Sequence, residues 1–331
     1  MNLLDAIILG LVEGITEYLP VSSTGHLIIA SSLLGLDQPP EMKRAVDAFN
    51  IVIQGGAILA VLGLYWPRCM QMLRGVLGKD AKGRRLFFNL VIAFLPAAFL
   101  GLLLDDWIES ILFRPVPVIL ALALGGVYMM LVDRWRKKHG QGARSITDLT
   151  WRQALLIGCF QVLAMWPGTS RSMMTITGGI FAGLRPREAA EFSFLLGLPT
   201  LGGACVYKLA KNLHESNQEG VPNLFETLGW APVIVGVVVA TISAALAVSW
   251  LVNFLTRHGL TPFGWYRLAL AAVLGGLMLG GVVNLNPPSE TPPPPAITES
   301  TADTDTPVNT DTGEGAETTP ARQESTDAPS D

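Results

Sequence analysis

The chain has 331 residues, of which 50% are hydrophobic and only 15% charged, with 34 glycines and a net charge of −4. Soluble domains carry roughly 25% charged residues, and the apolar residues here fall into unbroken runs near the ~20 residues that a spanning helix needs. These numbers exclude a soluble globular protein.

The net charge averages two unlike regions. Residues 287–331 hold ten acidic side chains and one basic one, Arg322, so the 23 basic and 27 acidic residues of the whole chain leave 22 and 17 in the first 286, a net of +5. The sequence therefore reads as a membrane-embedded catalytic domain over 1–285, followed by an acidic Pro/Thr-rich tail over 286–331 with too little to bury to fold. The three cysteines, Cys69, Cys159 and Cys205, have no metal or disulfide spacing. The N-terminus is not an ordinary signal peptide: it lacks a basic start and carries Asp5, Glu13 and Glu17 in or beside its apolar stretch.

In chain order, the first apolar stretch, Met1–Leu36, is broken at "LPVSSTGH". Three runs of spanning length follow, Val46–Trp66, Leu86–Trp107 and Val116–Val132. A second broken stretch, Trp151–Leu184, is interrupted at "WPGTSRSMMT", and three more spans close the domain: Ala189–Ala210, Leu228–Leu255 and Gly264–Val283. The connections alternate in charge. Arg68, Arg74, Lys79, Lys82, Arg84 and Arg85 follow the first span; Asp105, Asp106 and Glu109 the second; Arg134, Arg136, Lys137, Lys138 and Arg144 the third. Arg185 and Arg187 precede the fourth span, and Glu215, Glu219 and Glu226 follow it. The alternation places the basic connections in the cytoplasm and the tail outside. It survives only if each broken stretch leaves the membrane on the side it entered, as two short helices joined by a polar break. The expected fold is an all-α polytopic membrane protein with about six transmembrane helices plus two re-entrant helix–loop–helix hairpins. Repeat one runs about 1–133 and repeat two about 151–283; an odd number of spans per unit inverts the second copy. In such inverted repeats the special site lies where the broken helices meet.

Glu13 and Glu17 lie four apart and share one helix face. An ionised side chain in "AIILGLVEGITEYL" costs about 2.5–3.5 kcal/mol on insertion scales, so an acid there is a functional candidate by default. Pro20 ends the first short helix, and Ser22, Ser23 and Thr24 are N-cap types for the next, whose free N–H groups and positive dipole end suit a phosphate. Capping explains one hydroxyl but not three with His26 beside them. If Ser23 begins the helix, His26 can face it, giving a hydroxyl nucleophile with an imidazole base. In the second hairpin Arg171 cannot be neutralised and needs an anionic partner: a structural pair to Glu13 or Glu17, a bound phosphate, or each in turn. Ser170, Ser172 and Thr175 add hydroxyl donors around it, and Gly168 would let backbone approach a ligand. The acid pair could hold a divalent metal, Mg²⁺ with Ca²⁺ the alternative, whose shell substrate oxygens and waters would complete. Together these residues form a phosphate cradle within reach of lipid, which suits a lipid diphosphate whose chain stays in the bilayer.

The runs "GLVEGITEYLPVSSTGHLII" and "GCFQVLAMWPGTSRSMMTITGG", with "FNIVIQGGAILAV", "EFSFLLGLP" and "FGWYRLALAAV" in the same order, resemble the undecaprenyl-diphosphate phosphatase (bacitracin-resistance) family over about residues 1–283. The resemblance implies hydrolysis of undecaprenyl diphosphate to undecaprenyl phosphate in the bacterial cytoplasmic (inner) membrane, recycling the carrier lipid for peptidoglycan synthesis and conferring bacitracin resistance. It casts Glu13 and Glu17 as metal or water ligands, Ser23 and His26 as nucleophile and partner, and Arg171 with Ser170, Ser172 and Thr175 as phosphate binders. Ser23 is the favoured nucleophile, because His26 then has a role as its base. Met173 and Met174 stand where the family has small residues, and the long tail is a second departure. The partners expected are a polyprenyl diphosphate lipid and the bilayer; a homodimer is compatible. Nucleic acid is not a partner, since the basic residues follow membrane sidedness. The competing readings are a transporter that flips undecaprenyl phosphate, which needs only phosphate binding and two gates, and a structural or receptor protein, which leaves the buried Glu, His and Arg unexplained.

Overall fold

The computed structural model describes residues 1–112, 114–140, 142–219 and 222–280, and the expected acidic tail lies outside the described residues. All of the named elements among these residues are helical. The first half holds α1 (Leu3–Thr16), α2 (Ser23–Leu33), α3 (Pro40–Leu64), α4 (Trp66–Val76), α5 (Ala81–Leu112) and α6 (Pro115–His139). The second holds α7 (Trp151–Leu163), α8 (Arg171–Phe181), α9 (Pro186–Glu219), α10 (Leu224–Leu228), α11 (Trp230–His258) and α12 (Thr261–Leu279).

Six helices are long and apolar enough to cross a membrane: Pro40–Leu64, Ala81–Leu104, Val116–His139, Pro186–His214, Trp230–His258 and Thr261–Leu279. Each coincides with a run expected from the sequence, and most extend further because helix-forming polar residues, such as Arg136 to Lys138 in α6, carry the backbone past the apolar stretch. The chain is a multi-pass membrane protein. Its lipid-facing surface stays apolar, with Leu102 80% and Val206 70% exposed, as expected for a protein whose solvent is hydrocarbon.

Each broken stretch forms two short helices joined by a break, α1–α2 and α7–α8, an arrangement compatible with the re-entrant hairpins expected there. α1 and α7 open on capping boxes, Asn2 with Asp5 and Thr150 with Gln153, which satisfy otherwise orphaned N–H groups. α2 and α8 each begin after a serine in the left-handed region, Ser22 at φ 73° and Ser170 at φ 76°. A non-glycine residue held there costs on the order of 1–3 kcal/mol and persists only where its surroundings fix it.

Packing places these hairpins against the opposite half. α1 lies on α11 and α7 lies on α5. A Cβ at Gly10 of α1 would sit 2.7 Å from the Gly236 carbonyl oxygen, and one at Gly158 of α7 would sit 2.6 Å from that of Ala93. Small residues permit this backbone approach, which replaces the hydrophobic drive that is missing between helices in lipid. α3 and α9 pack on each other at the centre, and α6 packs on α12. α4 was not anticipated. It is a short helix inside the first basic connection, folded back on α5 where Gly75 meets Gly83 and Arg84.

Candidate active site

α1 turns its small and polar face inward, burying Gly10, Glu13, Gly14 and Thr16. Glu13 is 1% exposed, and neither of its carboxylate oxygens has a hydrogen-bond partner. Glu17 caps the helix, its backbone N–H donating to the Glu13 carbonyl at 2.9 Å, and its side chain is also buried. After the turn at Leu19–Val21, α2 starts at Ser23 with no side chain capping its N-terminus, so its first N–H groups are available to an anion.

The Ser23 hydroxyl donates to Glu17 Oε2 at 2.6 Å. The other oxygen, Oε1, accepts from Arg171 Nη2 at 3.2 Å. Arg171 is the first residue of α8, so this contact joins the two hairpins. Its Nη1 donates to the Ser193 carbonyl at 2.9 Å, its guanidinium lies 5.3 Å from the Tyr18 ring centroid, and its Nε has no partner. Gly197 of α9 makes room for it, since a Cβ there would come within 2.9 Å of Nη1. Of the partners open to Arg171 on sequence grounds, the structure has Glu17.

The second hairpin's hydroxyls divide into two kinds. Ser170 caps α8, accepting from the Met173 N–H, and lies 3.0 Å from the Ser172 hydroxyl. Ser172 is fully buried and donates to the Leu19 carbonyl at 2.8 Å, stitching this hairpin to the break in the first. Thr175 is also fully buried, bonded to the Arg171 carbonyl at 2.9 Å and to the Ser193 hydroxyl. Ser172 and Thr175 thus fix the scaffold around Arg171 and do not face open space. The first hairpin's remaining hydroxyls lie beside Ser23, with Ser22 buried and Thr24 half-buried.

The expected Ser23–His26 hydrogen bond is absent, and both imidazole nitrogens are engaged elsewhere. Nδ1 lies 2.7 Å from the Ser22 carbonyl and Nε2 lies 2.6 Å from the Tyr266 hydroxyl. The left-handed turn at Ser22 points that carbonyl back at the ring, while α2 turns Ser23 towards α1. Because Nδ1 can only donate to a carbonyl, the neutral ring carries its proton there and leaves Nε2 as the acceptor.

Two neighbours in α12 were missed at the level of sequence. Tyr266 holds His26, and its ring lies parallel to the imidazole at 5.6 Å. Arg267 is completely buried and donates to the carbonyls of Ala121 and Leu122 in α6 and of Gly168 in the second break, at 3.0, 3.3 and 2.8 Å. Like Arg171, Arg267 in "FGWYRLALAAV" is a permanent cation inside an apolar run, and that mark was open to sequence. Tyr18, edge-on to Phe194, and Ser193 were likewise unsignalled.

The fold and site define a class: a polytopic helical membrane protein whose two broken hairpins bring acid, hydroxyl and arginine together in a buried cradle. Residues 6–273 match the family described as "Bacitracin resistance protein BacA". The chain is 44% identical over 271 residues to the undecaprenyl-diphosphatase of Sorangium cellulosum, covering 82% of this chain and 84% of that protein. It is 45% identical over 284 residues to undecaprenyl-diphosphatase 2 of Rhodospirillum rubrum, covering 85% and 97%. With the undecaprenyl-diphosphatase of Clostridium tetani it shares 38% identity over 284 residues, covering 86% and 99%. The chain belongs to the bacitracin resistance protein BacA family.

Proposed function

We propose that this chain hydrolyses undecaprenyl diphosphate to undecaprenyl phosphate and inorganic phosphate, returning the carrier lipid to peptidoglycan synthesis and so conferring bacitracin resistance. The observation that carries the reading is the chain of contacts Ser23–Glu17–Arg171 across the two hairpins, together with the relatives named undecaprenyl-diphosphatase. In the resting site Arg171 pairs with Glu17; an entering diphosphate competes for the guanidinium and frees the carboxylate to act as a base. Ser23 Oγ then attacks the terminal phosphorus and gives its proton to Glu17. The Oγ–P bond forms, the bridging P–O bond breaks, and its electron pair leaves with undecaprenyl phosphate. Once the Tyr266 hydroxyl turns away, water attacks the phosphoserine and loses a proton to His26 Nε2; the P–Oγ bond breaks, Glu17 returns its proton to Ser23 Oγ, and His26 gives its proton to the departing inorganic phosphate. Arg171 and the uncapped N-terminus of α2 stabilise the charge that develops on the phosphoryl oxygens.

Glu13 and Glu17 suit a divalent cation, Mg²⁺ or alternatively Ca²⁺. A buried carboxylate with no partner needs a cation or a proton, and Glu13 is one, a single turn from Glu17. A metal ion held there would neutralise diphosphate oxygens. We place the chain in the cytoplasmic membrane with its basic connections inside and its tail outside, on the alternation of charge.

The test is phosphate release from undecaprenyl diphosphate by purified protein in detergent, with and without EDTA. We expect release that falls in EDTA, returns with Mg²⁺, and drops by roughly 10²–10³ in Arg171→Ala. Folded protein that releases no phosphate under any divalent metal contradicts the reading. Release indifferent to EDTA removes the metal from it.

A further inference from the structure

A groove of about 510 Å³ opens between α5 and the start of α7, lined by Arg85, Phe88, Asn89, Ile92, Trp151 and Arg152. None of these residues belongs to the phosphate cradle. Both guanidinium groups are exposed. Arg85 donates to the carbonyls of Leu149 and Asp148 at 2.8 and 3.3 Å, and Arg152 stacks 5.3 Å over the Trp151 ring. Among the described residues neither has a carboxylate partner. The floor is firm, because Asn89, 3% exposed, spends its amide on the Leu149 carbonyl.

The groove's other wall is apolar and faces outward. Phe88 is 54% and Trp151 57% exposed, and Phe88 and Ile92 lie on the spanning part of α5. The groove therefore grades from two exposed guanidinium groups, Arg85 on α5 and Arg152 on α7, to the apolar surface of α5. Its charged end adjoins Lys79, Lys82 and Arg84, the cytoplasmic side by the alternation of charge. We propose that this groove binds the headgroup of an anionic phospholipid, with the phosphate between Arg85 and Arg152 and an acyl chain along Phe88 and Ile92. Charge complementarity selects the occupant: a zwitterionic headgroup would set its own cation against the two arginines. Basic pockets between helices at the cytoplasmic side are where anionic headgroups bind, and each arginine near the surface adds about a fivefold preference. The site supplies a structural lipid, separate from the substrate.

The experiment titrates the full-length protein in detergent with phosphatidylglycerol, and with phosphatidylcholine of the same chains, reading the first retained lipid by native mass spectrometry. Phosphatidylglycerol should bind more tightly. Arg152→Gln should weaken it about fivefold and the Arg85→Gln/Arg152→Gln pair roughly 25-fold, while phosphate release by Arg152→Gln stays unchanged. Arg152 holds no backbone carbonyl, so it carries the test alone if the Arg85 variant fails to fold. Equal retention of phosphatidylcholine, or undiminished phosphatidylglycerol binding in Arg152→Gln, overturns the proposal. So does displacement of the lipid by inorganic phosphate at a similar concentration, which would make the groove a site for free anions.

Discussion

At the level of single residues, the site turns on which partner each polar group takes. Ser23 bonds Glu17 and His26 bonds Tyr266, so the proposed mechanism gives the two helix-start residues different steps. His26→Ala should lower kcat by about 10²–10⁴, the usual range for a lost acid–base group, and Tyr266→Phe should cost less, because the ring keeps its Ser22 anchor. Equal losses in the two variants, measured as kcat at saturating substrate, would show that the Tyr266 hydroxyl itself takes part. Arg171→Lys should not rescue activity. A lysine cannot span Glu17 and the Ser193 carbonyl together, as the planar fork does at 3.2 and 2.9 Å. The chemistry-bearing residue types were legible in the sequence, because ionisable groups inside apolar runs are costly. Their pairing was not. The left-handed turn at Ser22, which swings its carbonyl towards His26, has no sequence mark, since serine is not a residue that the region favours.

At the level of elements, the two halves share a device. Each break ends in a left-handed serine, and each leading helix seats a glycine on a long helix of the other half. Ser22→Gly relieves the backbone without losing a capping bond, because the Ser22 side chain makes none. It should raise stability by about 1 kcal/mol in thermal or denaturant unfolding, whereas Ser22→Ala should give no such gain. Gly10→Val and Gly158→Val should each destabilise by about 1–3 kcal/mol or more through overpacking, and comparable losses would support the equivalence of the halves. The spans and the breaks were legible from hydropathy and from Pro, Gly and Ser punctuation. α4 was hidden, since it lies in a connection of six basic residues, two of which, Arg68 and Arg74, interrupt the apolar stripe that folds it onto α5.

For the whole molecule, α12 links the two hairpins. Tyr266 reaches His26 in the first and Arg267 reaches Gly168 in the second. Removing the Arg267 side chain takes its donors from three buried carbonyls; those of Ala121 and Leu122 keep their α6 helix bonds, whereas that of Gly168 lies outside any helix and is left unsatisfied, at about 1–3 kcal/mol. Arg267→Met should therefore lower the unfolding temperature in detergent and reduce turnover together. Retained stability with lost turnover would instead assign Arg267 to the chemistry. The repeated order of elements, with α1 on α11 and α7 on α5, accounts for one site built from two distant motifs, and the charge alternation made that arrangement readable before any contact was known. Arg267 bears the same mark as Arg171, a cation inside an apolar run, but what it clamps stayed hidden because its acceptors are backbone carbonyls, which no side-chain pattern announces.

The central claim is that Ser23, activated by Glu17 and opposed by Arg171, attacks the diphosphate. The most direct measurement is the initial rate of phosphate release from undecaprenyl diphosphate by Ser23→Ala, in protein whose unfolding temperature matches the parent. The account predicts a loss of about 10³-fold or more, as expected when a nucleophile is removed. A variant that keeps its rate within about tenfold, well below the effect of a lost catalytic group, would contradict it and move the attack to water or to His26.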